Sequence, residues 1–366
     1  MATYLYVSAL GDNRVRRFTV DPGGRLTDVH DTEVPDGPGP MALHPSRTTL
    51  YVGHRAGGFF SSPGGHGVPR PEFAISSWSI DPASGDLSQT GRVALEGEPA
   101  TVFTDQRGRF ILSAYYQAGG CAVHPIDASG AVGGAAIEWI RTNPGAHSFR
   151  VDPSNRFAFL PHISDGSAGL QRLAAGPASG LNAILQFRFD EETGRLTPND
   201  PPRVSPEQPI GPRHHCFHPT KPLVYVNNEQ GSVVTTYALD PDRGVLTPLQ
   251  TLPTLPEGYD GHNLAAQIHL TPDGRFLYSS NRGHDSIACF AIDGASGLLA
   301  ATGWQHVGER PRAFGIDPAG RFLYATSQEA GTMTALAIDQ ASGLLSEIEQ
   351  VEVGENPMWV TVVDLP

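Results

Sequence analysis

The amino-acid sequence predicts an all-β fold, a seven-bladed β-propeller forming one domain over residues 1–366. Three observations predict it. An apolar signature recurs seven times, as YLYVSA, TLYVGHR, RFILSAYY, RFAFLPHI, LVYVNNE, RFLYSSNR and RFLYATSQ. Most copies are followed by a second apolar run closing on Asp and a Gly-Xaa-Leu turn, such as SSWSIDPASGDL and ACFAIDGASGLL. The copies are also offset from the chain ends, because the last apolar run, Met358 to Asp364, has no signature after it and the first signature has no such run before it. Short alternating runs bounded by Gly, Pro, Asp and Asn are strand and turn signals, and repeats of this size with about four strands each describe propeller blades.

Each blade is expected to supply strands A, innermost, to D, outermost. Strand A precedes the signature, as in PMALHP, ATVFTD, HSFRVDP, HHCFHP, QIHLTP, AFGIDP and MWVTVVD. The signature is strand B, and the run ending in Asp is strand C; the third copy, AVHPIDASGAV, is a weaker version. Pairing the C-terminal strand with N-terminal strands in one blade would close the ring and remove exposed sheet edges. Because strands alternate in direction, the start of A and the end of B share one face of the disc. Tight A-to-B turns such as Asp273-Gly274 occupy the other face. The long connections fall on the first face: insertions at 56–72 and 164–182, which are candidate lids, and D-to-A connections at 198–212 and 251–264.

Composition narrows the function classes. A formal net charge of -13 argues against nucleic acid or an anionic membrane as partner. Lys221 is the single lysine, so arginine supplies the remaining positive charge, and arginine is the better fork for carboxylate or phosphate. Cys121, Cys216 and Cys289 are scattered, without a CxxC pair, and no basic, apolar leader precedes Tyr4, so a cytoplasmic location is expected.

The residues that begin strand A are His147, Arg213 with His214, Gln267 with His269, and Arg312; those that end strand B are His54 with Arg55, Tyr115 with Tyr116, His162, Asn228 with Glu229, Asn281 with Arg282, and Gln328. All are expected at one mouth of the central channel. Four arginines there, in an acidic protein, suit an anionic ligand or an anion that develops during reaction. His44, His215 and His218 adjoin His-Pro or turn segments and are expected in turn or core packing. No cofactor is required: no Gly-rich phosphate loop or Gly-Xaa-Ser-Xaa-Gly elbow occurs, and a divalent metal has only weak support because no His-Xaa-His or Glu-Xaa-Xaa-His pair is present.

GPRHHCFHP, VNNEQGS, TPDGRFLYSSNRGHDSIACF and GENPMWVTV resemble motifs of the lactonase family of seven-bladed propellers, and the resemblance covers nearly the whole chain. It implies hydrolysis of a sugar lactone to the aldonic acid, with 6-phospho-D-glucono-1,5-lactone as the leading substrate. It also implies a catalytic constellation of His147, Arg213, Glu229 and Arg282, with His147 or Glu229 as general base and the arginines on the oxyanion. Arg55, His162, His214, Gln267, His269, Asn281, Arg312 and Gln328 are the expected substrate contacts. Gln267 stands where the family run carries a carboxylate. Hydrolysis of another, non-phosphorylated sugar lactone, lactonising cyclisation of an unsaturated muconate-type dicarboxylate and a non-catalytic binding propeller are the alternatives.

Overall fold

The computed structural model describes residues 2–55, 72–163 and 181–365. These form seven four-stranded antiparallel sheets. The ring closes as expected: Pro357–Leu365 is strand A of blade 1 and pairs with Ala2–Ala9, Thr3 opposite Asp364 and Val7 opposite Val360. The other inner strands are Pro38–Leu43, Pro99–Thr104, Arg150–Val151, Pro212–Phe217, Leu264–Leu270 and Phe314–Ile316, for blades 2 to 7. The insertions at 56–72 and 164–182 lie almost wholly outside the described residues.

Why these runs become strands is visible in their burial. Strand B of each blade is packed on both faces by neighbouring blades, so Thr49–His54, Phe110–Tyr115 and Leu223–Asn228 are buried at every position and mostly apolar, with polar residues chiefly toward their ends. Strand D faces solvent, and Leu26–Glu33 keeps only Leu26 buried. Apolar clusters lie between successive blades; one joins Phe110, Leu112 and Val123 of blade 3 to Phe149, Leu160 and Phe187 of blade 4. The A-to-B turns are closed by side chains. The Oδ1 atoms of Asp105, Asp152 and Asp317 accept from the amides of Phe110, Phe157 and Phe322 at 2.8, 2.9 and 2.7 Å. His218 does related work, its Nδ1 accepting from Thr220 and Lys221, as expected of a turn histidine.

The signature tyrosine latches one blade to the next. Tyr6, Tyr51, Tyr225, Tyr278 and Tyr324 donate from their hydroxyls to the carbonyls of Gly85, Gly130, Gly297, Gly343 and Gly24 at 2.6–3.1 Å. Each acceptor is the glycine of the neighbouring blade's C-to-D turn. Gly343 shows why glycine is needed, since its φ is +72° and a Cβ there would strike the Phe276 ring. Blades 3 and 4 carry Leu112 and Phe159 at the tyrosine position and have no such latch. Tyr278→Phe is therefore expected to cost about 1 kcal/mol, measured as a lower urea midpoint with an unchanged slope.

Two expected boundaries change. Outer strands run through Leu196–Val204 and Val245–Pro253, so the connections are 205–211 and 254–263 rather than 198–212 and 251–264. The prolines within these runs are tolerated because strand D is a sheet edge, where a missing N–H breaks no ladder. Blade 3 departs in the weak copy: its outer strand is only Glu138–Arg141.

Candidate active site

Two rules of β geometry build the site. At the end of strand B, successive residues point to opposite sides. The first of each pair is therefore buried between blades: His54 contacts the Pro35 carbonyl and Ser76, Tyr115 bonds Ser113, Asn228 bonds Thr235, and Asn281 bonds Thr254. The second reaches the channel, as do Tyr116, Glu229 and Arg282. At the start of strand A, the ladder with strand B slips. Opposite Asn228 and Asn227 stand Pro212 and His214, so Arg213 is skipped; Ala266 and Gln267 are skipped in blade 6, Ala100 in blade 3, Gly39 and Pro40 in blade 2, and Met358 in blade 1. A bulge frees a residue from strand alternation and re-aims its side chain. Pro40, Ala100, Arg213, Gln267 and Met358 together line one narrow chamber, with Arg55, His214, Arg312 and Trp359.

Glu229 is the centre of the charges. Its Oε2 accepts from Arg213 Nε at 2.9 Å and its Oε1 faces Arg282 Nη2 at 3.0 Å. Arg213 also donates through Nη1 to the Ala266 carbonyl, and Arg282 donates to the carbonyls of Leu264 and Ala265 at 3.4 and 3.3 Å. Burial alone would raise the Glu229 pKa, but Arg282 and Arg213 overcome it and hold the carboxyl below its ordinary value. Glu229 is thus a fixed anion with little basicity left.

His147 stands against this anion, its Nε2 3.8 Å from Glu229 Oε2 and its Nδ1 3.2 Å from His214 Nε2. Burial first, then Arg213 and Arg312, keeps its pKa well below that of a free imidazole. The ring is therefore held in its neutral form. Tyr116 packs edge-on to it, ring centroids 5.5 Å apart. Tyr116 was among the strand-end residues, but residue type alone did not promote it to the site.

Arg312 differs from the other guanidiniums of the mouth. Arg55 is paired with Glu98, its Nε 2.6 Å from Oε1. Arg312 has no hydrogen bond or ion pair among the described residues, yet it lines the chamber close enough to Arg213, Arg55 and Arg282 for burial and their charges to depress its pKa strongly. Three guanidiniums, Arg213, Arg282 and Arg312, thus share one carboxylate, so the chamber is positive.

The remaining expected contacts divide. His214 and Gln267 reach the chamber. His269 lies one step below it, its Nε2 2.9 Å from Gln267 Nε2. Gln328 reaches Asn356 and Met358 and so touches the chamber wall from behind. His162 and Asn281 are fully buried between elements, His162 beside Thr142 at 3.0 Å, and neither joins the cluster. Among the described residues, no group of three His, Cys, Asp or Glu stands where it could hold a metal ion.

The family described as "Lactonase, 7-bladed beta-propeller" matches residues 4–362. The chain belongs to this lactonase family. Curated relatives agree: the 6-phosphogluconolactonase of Serratia proteamaculans is 33% identical over 317 residues, 87% of this chain and 86% of that protein. The 6-phosphogluconolactonase of Pectobacterium carotovorum is likewise 33% identical, over 87% of this chain and 85% of its own. Among solved structures, the periplasmic gluconolactonase of Pseudomonas aeruginosa superposes with a TM-score of 0.85 at 27% identity, over 100% of both chains. A Lactobacillus plantarum protein shares the fold with a TM-score of 0.81 at 23% identity. The chamber brings Arg55, Arg213 and Arg312 together, and His147 adjoins it through His214; an imidazole and guanidiniums are groups of the kind that acyl transfer to water uses.

Proposed function

We propose that this lactonase opens 6-phospho-D-glucono-1,5-lactone to 6-phosphogluconate, with His147 as general base and Arg312 and Arg213 on the oxyanion. The observation that carries this reading is Arg312, a guanidinium with no hydrogen bond or ion pair among the described residues, near the His147 imidazole that faces Glu229. Its N–H groups are available for charge that develops in the transition state rather than being neutralised in the resting enzyme.

In this mechanism water attacks the lactone carbonyl carbon and gives a proton to His147 Nε2. The new imidazolium is stabilised by the Glu229 carboxylate 3.8 Å away. The tetrahedral oxyanion lies against Arg312 and Arg213. Its collapse re-forms the carbonyl and breaks the bond to the ring oxygen, which takes the proton back from His147 and leaves as the hydroxyl. The carboxylic acid so formed releases its remaining proton to solvent, and the carboxylate product meets the same arginines. Arg282, already bonded to two carbonyls and Glu229, is a positioning residue here and not an oxyanion donor. The phosphate of the substrate is supported by the curated relatives, whose printed activity is on the phosphorylated lactone. Three buried, unpaired cysteines support a cytoplasmic setting, and no described helix is long and apolar enough to cross a membrane.

The test is acid release at constant pH from freshly prepared glucono-1,5-lactone and its 6-phosphate, with spontaneous opening subtracted. The phosphorylated lactone is expected to be accelerated more. His147→Gln should lower kcat by about 10²–10⁴-fold while KM changes little. Acceleration of neither lactone by the wild-type protein would end the assignment. Wild-type kcat in His147→Gln would remove the base but leave the substrate.

A further inference from the structure

The central channel has a second cationic end, on the face opposite Glu229. Arg150 lies on the inner strand of blade 4, Arg150–Val151, directly before the A-to-B turn that begins at Asp152. Its guanidinium is stacked on the Phe103 ring, 4.5 Å from the centroid, and its Nη1 donates to the His215 carbonyl at 3.1 Å. It makes no other hydrogen bond, and no ion pair, among the described residues. Arg150 and Arg312 are alike in this respect, one at each end of the channel.

Arg150 is half-buried, and a guanidinium drawn partly out of water is normally paired with a carboxylate. Two carboxylates lie near the Arg150 strand, and both are already committed. Asp105 accepts from the amides of Arg107, Arg109 and Phe110 and from Asn155. Asp152 accepts from the amides of Ser154, Arg156 and Phe157 and from the Ser154 hydroxyl. Beside Arg150 opens a cavity of about 360 Å³, walled by Leu43, Pro45, Phe103, Thr104, Gln106 and Asp105, whose carboxylate is the one committed to the turn amides and Asn155. It is not the lower part of the lactonase chamber. The rings of Phe103, Trp359 and His214 stand in series across the channel, 6.0 and 6.1 Å between successive centroids.

We propose that this lower cavity is a binding site for a small tetrahedral oxyanion, phosphate or a phosphate monoester, held by the unused N–H edge of Arg150. A phosphate oxygen pair matches the fork of the guanidinium, whose orientation is already set by Phe103 below and the His215 carbonyl beside it. The volume admits a phosphate with a few attached carbons, and Leu43, Pro45 and Phe103 give those carbons an apolar wall. Such a ligand would bind the native state alone, since the fork, the ring and the carbonyl come from blades 4, 3 and 5.

The experiment is thermal unfolding in inorganic phosphate at constant ionic strength, with chloride as the balancing anion. Wild-type protein is expected to show a saturable rise in Tm with phosphate, as binding to the native state alone requires. The rise should vanish in Arg150→Gln and persist in Arg312→Gln, while lactone hydrolysis by Arg150→Gln stays at the wild-type rate. Arg150→Lys keeps the charge without the fork and should weaken phosphate at least about tenfold; it serves if the glutamine variant does not fold. Repeating the titration with glycerol phosphate separates a monoester site from one for the free ion. No phosphate-specific rise in the wild type, an unchanged titration in both Arg150 variants, or loss of the rise in Arg312→Gln alone would overturn the proposal. The last outcome would place phosphate in the upper chamber.

Discussion

Arg312→Gln is expected to lower kcat/KM for lactone opening by about 10²–10³-fold, the usual loss for one oxyanion donor, while leaving Tm unchanged or higher. The opposite signs follow from one arrangement. Arg312 is half-buried near Arg213, Arg55 and Arg282 with no hydrogen bond or ion pair among the described residues, so its charge is a cost to the resting fold. Glutamine removes that cost and keeps a hydrogen-bonding group of similar reach. Glu229→Gln should behave in the contrary way. Among the described residues it removes the only carboxylate bonded to Arg213 and Arg282, and breaking a buried pair from one side typically costs about 3–5 kcal/mol. Activity would fall in both variants, so stability is the discriminating measurement: paired urea unfolding curves with the rates measured on the same samples. Equal destabilisation by both substitutions would show that Arg312 is a structural cation, and the oxyanion assignment would fail with it.

Acid should unfold this protein abruptly between pH 6.5 and about 4. His54, His124 and His162 are buried, and burial brings each pKa from 6.5 down to about 4. The sign is that of a depressed native pKa: below 6.5 the unfolded chain binds protons that the native state refuses, so stability is full above 6.5 and lost as pH falls. At pH 5 each of these three histidines costs about 2 kcal/mol, together about 6, against a total stability of about 5–15 kcal/mol. His147, His214, His215 and His269 are depressed in the same direction and steepen the loss. Urea midpoints at half-unit steps from pH 7.5 to 4.5 measure it. A flat profile would mean that these rings are solvated or already protonated in the native state. The rate profile should be less sensitive than that of a free imidazole, because His147 stays neutral well below pH 6.5.

Much of this was legible before any coordinates. The tyrosine signature, the Asp-Gly turns and the offset ends specified seven blades and the closure by Pro357–Leu365, because a repeat needs only local pattern and nearest-neighbour packing. The mouth that carries Glu229 followed from strand direction alone, and His44, His215 and His218 fell in turns and core as their His-Pro or turn neighbours suggested. What the pattern could not resolve was which of two adjacent strand-end residues turns inward: His162 and Asn281 were expected with the substrate and lie between blades instead.

The repeats and their residue types are properties of the chain, and they determined the fold, its closure and the face that bears the charges. The bulges at Arg213 and Gln267, the sharing of Glu229 by two arginines and the isolation of Arg312 and Arg150 were decided only in three dimensions. The physical reason is that a bulge is set by how seven inner strands crowd one channel, and the pairing of a charge by which blades meet there. Neither is a property of any single repeat.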